Sequence, residues 1–180
     1  MQIKTVLAAY DGSAHADKAV ELAAELAAKY RARLVLLHVL LRDAAPEVIR
    51  KLANPRKLTK AQRELLSTYD IEPAIAAATA GGMGGGVYIQ VPPPRELLQP
   101  LGEQLLERAA AIAKKAKAKR VDKIAMSGDP AEAILKRAKR EKADMIVMGS
   151  RGFGNLKSLL LGSVSHEVAS KAAKTVVTVK

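Results

Sequence analysis

Residues 148–163 read MGSRGFGNLKSLLLGS, and their types and spacing suit the holding of an anion. Gly149 and Gly152 carry no Cβ, so their amides are expected to approach a phosphate closely, with positive φ. Gly162 and Ser163 open a segment of helical periodicity. A helix N-terminus there offers unpaired amides, the positive end of a helix dipole and the Ser163 hydroxyl as a cap. Arg151 and Lys157 add positive charge, and Leu159, Leu160 and Leu161 anchor the intervening excursion against the protein. Two such groups brought together suit a polyphosphate better than a single phosphate.

Other residues with chemical potential are fewer. Asp11, in YDGS, would repel phosphates, which leaves it a sugar hydroxyl, an adenine edge or a metal-bound water, or a plain turn role beside Gly12. His15, His38 and His166 are scattered, and no pair of them has metal-ligand spacing. There is no Cys, which excludes a thiolate metal site, a Cys nucleophile and a disulfide framework. With no Walker A lysine and no positioned base, no catalytic residue is assigned.

These residues must be placed by the elements around them. IKTVLAA (3–9) is a short apolar run, read as a buried strand, and YDGS turns it into a helix over 14–30 capped by Ser13. RLVLLHVL (33–40) is a second strand, apolar enough to be buried on both faces. A helix is expected from about Arg95 to Lys119, then a weaker strand at 120–126. Asp129, Pro130 and Glu132 have the spacing that starts a further helix. A strand at 143–149, a helix after Ser163 and a last strand in TVVTVK complete the chain. Alternation of this kind predicts a parallel sheet with helices on both faces and right-handed crossovers. In such a sheet ligands bind beyond the carboxyl ends of the strands, where the strand order reverses. If the first and fourth strands are neighbours, Asp11 and Gly149 lie on opposite lips of one crevice.

Residues 41–94 break the alternation. APEVIRKLANPRKLTKAQRELLSTYD reads as two short helices broken at Asn54-Pro55. Five glycines within 81–86 read as a flexible segment, and VYIQV as a short edge strand stopped by Pro92, Pro93 and Pro94. The tract lacks the Lys-Ser/Thr ending of a P-loop and does not lead from a strand into a helix. The expected organisation is one domain over 1–180 with a flexible insertion at about 41–94.

Composition is consistent with that. The 180 residues hold no Trp, one Phe and four Tyr, so the core must be aliphatic. No stretch reaches a membrane span and no secretory signal is visible, so a cytoplasmic protein is expected. Thirty Lys and Arg against 18 Asp and Glu leave a net charge of +12, which attracts polyanions. The cations are spread along helices without interleaved aromatics, so a solvated surface is preferred and nucleic acid is kept as the lesser reading.

The residues also resemble a known family. Gly149, two residues, Gly152, nine residues and Gly162-Ser163 reproduce the pattern G-x2-G-x9-G-[ST] of the ATP-binding branch of the universal stress proteins. YDGS, LLHVL, GDPAEAIL and ADMIVMGSRG are similar to family landmarks in the family's order, over 1–40 and roughly 100–180. The resemblance implies a five-stranded parallel sheet of order 3-2-1-4-5, adenine nucleotide alpha hydrolase-like. It further implies that Ala9, Tyr10 and Asp11 meet the adenosine, that Val39 lines the base pocket, and that Met148, Gly149, Arg151 and Gly152 follow the ribose and phosphates. Gly162, Ser163, Val164 and Ser165 would hold the phosphate tail, with Mg or Mn, and the last strand would pair in a homodimer. The long insertion and the absence of a Pro in KAAK depart from the pattern. The implied role is an ATP-dependent regulatory stress-response protein, and the alternative is a slow ATPase or nucleotidyl transferase.

Overall fold

The computed structural model describes residues 2–40, 46–69, 93–153 and 161–180. The glycine tract, the VYIQV strand, the leucine excursion and Lys157 lie outside the described residues. Contacts divide the chain into two compact units, Met1–Leu40 with Leu105–Lys180, and Leu41–Gln104.

The first unit carries the sheet: β1 (Thr5–Ala9), α1 (Ala14–Tyr30), β2 (Arg33–Val39), the C-terminal half of α4 (Arg95–Lys115), β3 (Arg120–Met126), α5 (Pro130–Arg140), β4 (Met145–Gly149), α6 (Ser163–Lys171) and β5 (Thr175–Val179). All pairings are parallel, in the order β3-β2-β1-β4-β5. The predicted fold class is therefore the one observed, and Ala9 pairs with Met148 across the switch point. β2 is buried along nearly its whole length, whereas of the two edges β3 is largely exposed and β5 partly buried.

Strand alternation divides the core into two layers. Leu7, Val35, Leu37 and Ile146 form one face with Ile134 and Ala138 of α5 and Val168 of α6. The opposite face carries Val6, Ala8, Leu34, Leu36 and His38. Here α1 packs on β1 and β4, with Ala16, Ala19, Ala23, Ala24 and Ala27 and a single larger residue, Val20. Small side chains let α1 lie close to the strands, which brings its N-terminus to the end of β4.

Two boundaries differ from the sequence reading for identifiable reasons. β4 begins at Met145; Asp144 just before it still donates its amide to the Thr5 carbonyl (2.9 Å), while its carboxylate turns back to accept from the amides of Lys4 (2.7 Å) and Thr5 (3.0 Å). α4 ends at Lys115 rather than near Lys119, because Lys117 is left-handed (φ 64°) and Ala118 donates back to Ala113 (3.1 Å).

In the second unit the break at Asn54-Pro55 is present. α2 (Pro46–Leu52) and α3 (Lys60–Thr68) flank a 3-10 turn over Pro55–Lys57, capped by Asn54. Thr59 and Gln62 form a reciprocal capping box at the start of α3. Ile49, Leu58, Tyr69, Leu97, Leu98 and Leu101 are buried in the chain.

Candidate functional site

The carboxyl ends of β1 and β4 open between the N-termini of α1 and α6. After β1, Gly12 takes φ 90°, and the Asp11 Oδ1 accepts from the Ser13 amide (2.9 Å). Ser13 caps α1 as predicted, its Oγ accepting from the Ala16 amide (3.2 Å). That hydroxyl also lies 3.5 Å from the Arg151 carbonyl, so the loop after β4 rests on the start of α1.

The two halves of the glycine motif meet at one atom. The Ser150 carbonyl accepts from the Gly162 amide (2.7 Å) and from the Ser165 Oγ (2.8 Å), which also reaches the Gly162 carbonyl (2.9 Å). The Ser150 amide is itself fixed on Val179 (2.7 Å), so the clasp hangs from the sheet. Gly162 is the N-cap of α6 and offers no side chain to its first turn. Ser163 is therefore the first helical residue, exposed, rather than the expected cap. Among the described residues no side chain caps that turn, and its amides with the dipole behind them suit an anion.

The glycines serve closeness, not the positive φ expected of them. Among the described residues only Gly12 and Gly128 are glycines of positive φ. A Cβ on Gly149 would stand 3.0 Å from the Ala16 amide nitrogen, the Arg151 oxygen and the His15 Cβ. On Gly152 it would come 2.4 Å from the Asp11 Oδ2. On Gly162 it would make ordinary contacts, none nearer than 3.6 Å. Gly149 and Gly152 thus bring α1 and Asp11 against the loop, while Gly162 has room.

Ala9, Val39 and Met148 gather on one apolar face of the sheet, nearly buried, with Met126 and Val164 against them. Tyr10 is different. Its amide donates to Leu37 (2.8 Å), its carbonyl accepts from the His38 Nδ1 (2.8 Å), and its hydroxyl donates to the Asp17 Oδ1 (2.6 Å). Asp17 pairs in turn with Arg108. All three polar groups of Tyr10 are engaged within the protein. Burial, then the bond to Asp17, raises the phenol above its usual range.

A carbonyl only accepts, so His38 must carry its proton on Nδ1. Burial pushes the pKa of the ring down, against the pull of that hydrogen bond, and His38 is a neutral core residue. His15, read from sequence only as one of three scattered histidines, borders Gly149 with its Cβ; Ser150, whose partners are remote in the chain, was not singled out. Among the described residues no three His, Asp or Glu side chains cluster to hold a metal, and no helix is long and apolar enough to cross a membrane.

These features define an open, doubly wound α/β protein whose strand order reverses between β1 and β4. Residues 2–180 match the model of the universal stress protein family, and the chain belongs to that family. It is similar to a universal stress protein of Thermus aquaticus, from the QAH/OAS sulfhydrylase 3′ region, 32% identical over 185 residues and covering 98% of both chains. Universal stress protein YxiE of Bacillus subtilis is 29% identical over 97% of both. Among solved structures, hypothetical protein MJ0577 is 27% identical with a TM-score of 0.63, over 100% of this chain and 97% of its own. A universal stress protein in complex with cAMP (22% identical, TM-score 0.60, 100% and 99% covered) shares the fold. So does one from Archaeoglobus fulgidus in complex with dAMP (20%, 0.56, 100% of both).

Proposed function

We propose that this chain binds ATP in the crevice between β1 and β4 and acts as a nucleotide-dependent regulatory protein. The observation that carries this is the clasp on the Ser150 carbonyl, which joins the two glycine segments and leaves the first turn of α6 uncapped. The complexes of two fold relatives with cAMP and dAMP support an adenine nucleotide as the ligand class.

In this reading Ala9, Val39 and Met148 form the apolar wall for the base, and Asp11 takes the ribose hydroxyls. The amides of Gly149, Arg151 and Gly152 follow the phosphates. Those of Ser163, Val164 and Ser165 take the phosphate tail. Tyr10 supports the pocket from behind, through Leu37, His38 and Asp17. A Mg²⁺ or Mn²⁺ ion bound with the nucleotide would be held chiefly by the phosphates, with Asp11 the carboxylate at hand. β5 is an open edge of partly buried side chains, and pairing with the β5 of a second copy would give a homodimer, which sedimentation at micromolar concentration tests.

Gly162→Ala tests the cradle. Its added Cβ meets only ordinary contacts within the protein, so the fold should melt as before. The same methyl intrudes where the phosphate tail lies, and ATP affinity by calorimetry should fall about 10-fold or more, the cost of roughly one misplaced contact. Unchanged affinity in a normally folded variant would remove the cradle.

A further inference from the structure

The amino end of the sheet, opposite the crevice, carries a pattern the proposed function does not use. Three helices end there in the same way, each on a left-handed residue that is a cation: Arg31 (φ 52°) after α1, Lys117 (φ 64°) after α4 and Lys142 (φ 51°) after α5. In each case the next residue is an alanine that donates back into the last turn. Ala32 reaches Ala27 (2.8 Å), Ala118 reaches Ala113 (3.1 Å) and Ala143 reaches Ala138 (2.9 Å). This position favours Gly or Asn, because a Cβ is strained at positive φ. The chain places Lys or Arg there three times.

Three acids at the starts of the strands and the end of α5 are already occupied, whereas Glu21 and Glu25 of α1 share a cleft with Lys115 and Ala116. Asp122 and Glu141 both pair with Arg33, Glu141 also takes Arg137 (2.6 Å), and Asp144 accepts the Lys4 and Thr5 amides. Arg31, Lys117, Lys119, Arg120, Lys139 and Lys142 are exposed and have no ion-pair partner among the described residues. The three caps precede β2, β3 and β4, so in the order β3-β2-β1-β4 they span three strand spacings, about 14 Å. That length faces several phosphates of one duplex strand, at about 3.4 Å of axis each. Tyr30, exposed beside Arg31, is a lone aromatic here, and successive unpaired bases would need more than one to stack on.

We infer that this face binds double-stranded nucleic acid through its phosphates, without reading bases. It is a second site, separated from the nucleotide crevice by the length of the sheet. Helix-end cations also complement helix dipoles, but that alone leaves their repetition at three strained positions unexplained.

The test is fluorescence anisotropy of a labelled DNA duplex of about 20 base pairs, with the full chain, across salt concentrations. Six phosphate contacts give a slope of log K against log salt of about −5, and the triple variant Arg31→Gly, Lys117→Gly, Lys142→Gly should lower it to about −3. Glycine suits the left-handed position, so this variant should fold, which circular dichroism checks. Lys51→Gln, Lys57→Gln, Lys60→Gln removes the same charge from the other unit and should change affinity less than threefold. An unshifted slope in the folded cap variant, or equal loss in the control, overturns the site. Absence of duplex binding at about 50 mM salt also overturns it. So does cap-dependent binding to phosphatidylserine vesicles in its place, or displacement of the duplex by saturating ATP.

Discussion

At one end of the parallel sheet positive potential comes from the backbone, and at the other it comes from side chains. In the proposed nucleotide site the donors are amides of the β4 loop and of the first turn of α6, held by Ser150, Ser165 and the β5 ladder. At the opposite face they are Lys and Arg heads on the last turns of α1, α4 and α5. Both follow from strand direction. In a βαβ unit every returning helix presents its N-terminus at the carboxyl ends of the strands and its C-terminus at the other. Fixed amides define a shape and suit a small ligand of definite geometry. Mobile cations define only a field and suit an extended polyanion. The difference teaches that the net charge of +12 alone does not tell backbone donors from side-chain cations.

The sharpest way to break this comparison is to damage one end and look for effects at the other. Gly149→Ala should do the most harm. Its Cβ would press on the Ala16 and Arg151 backbone at 3.0 Å, where no side chain can swing aside. Overpacking of this kind costs about 2 kcal/mol, read as a lower urea midpoint at unchanged slope. Nucleotide affinity should fall with it, and duplex binding should not. Equal loss of both would mean that the two ends are one cooperative site.

The two ends should also separate by pH. Below the crevice, burial lowers the pKa of His38, so the unfolded chain takes up that proton first. Stability should therefore begin to fall as pH drops below about 6.5, the unfolded histidine value, and keep falling down to the folded pKa. At the other end, the Arg33 guanidinium holds Glu141 below its ordinary range, and the Lys4 and Thr5 amides do the same for Asp144. Their contribution is present above about pH 4.5 and is lost as pH falls through the folded values. His38→Leu should remove the first phase of a urea midpoint profile and spare the second. If both phases persist, His38 is not the buried titrating group.

Which features were legible in the sequence follows from whether their causes are local. The strands and Ser13 and Asp129 as caps rest on neighbours a few residues away, and the alternation sets the sheet. The glycine spacing drew attention to the loop after β4 but misled on its physics. Gly149 and Gly152 are excluded from having a Cβ by His15, Ala16 and Asp11, which are remote in the chain. The Ser150–Ser165 clasp is hidden for the same reason, and Ser163 was credited with a capping role that Gly162 holds. The end of α4 was misplaced because its left-handed residue is Lys117, which carries none of the signal that Gly or Asn would give.

The caps supply the finest test of why the two ends differ. Replacing Arg31 by Gly relieves left-handed strain of about 1–2 kcal/mol. Against this, glycine costs roughly 0.5–1 kcal/mol more backbone entropy on folding, and the lost cation removes about 0.3–1 kcal/mol of interaction with the α1 dipole. The terms nearly cancel, so the urea midpoint should move by no more than about 0.5 kcal/mol equivalent. A near-neutral result means that stability does not demand a cation at this position, and the charge is free to serve binding. A loss above about 1 kcal/mol would show that the dipole term dominates. The face opposite the crevice would then be basic because its helices need it, and the contrast between the two ends would be structural rather than functional.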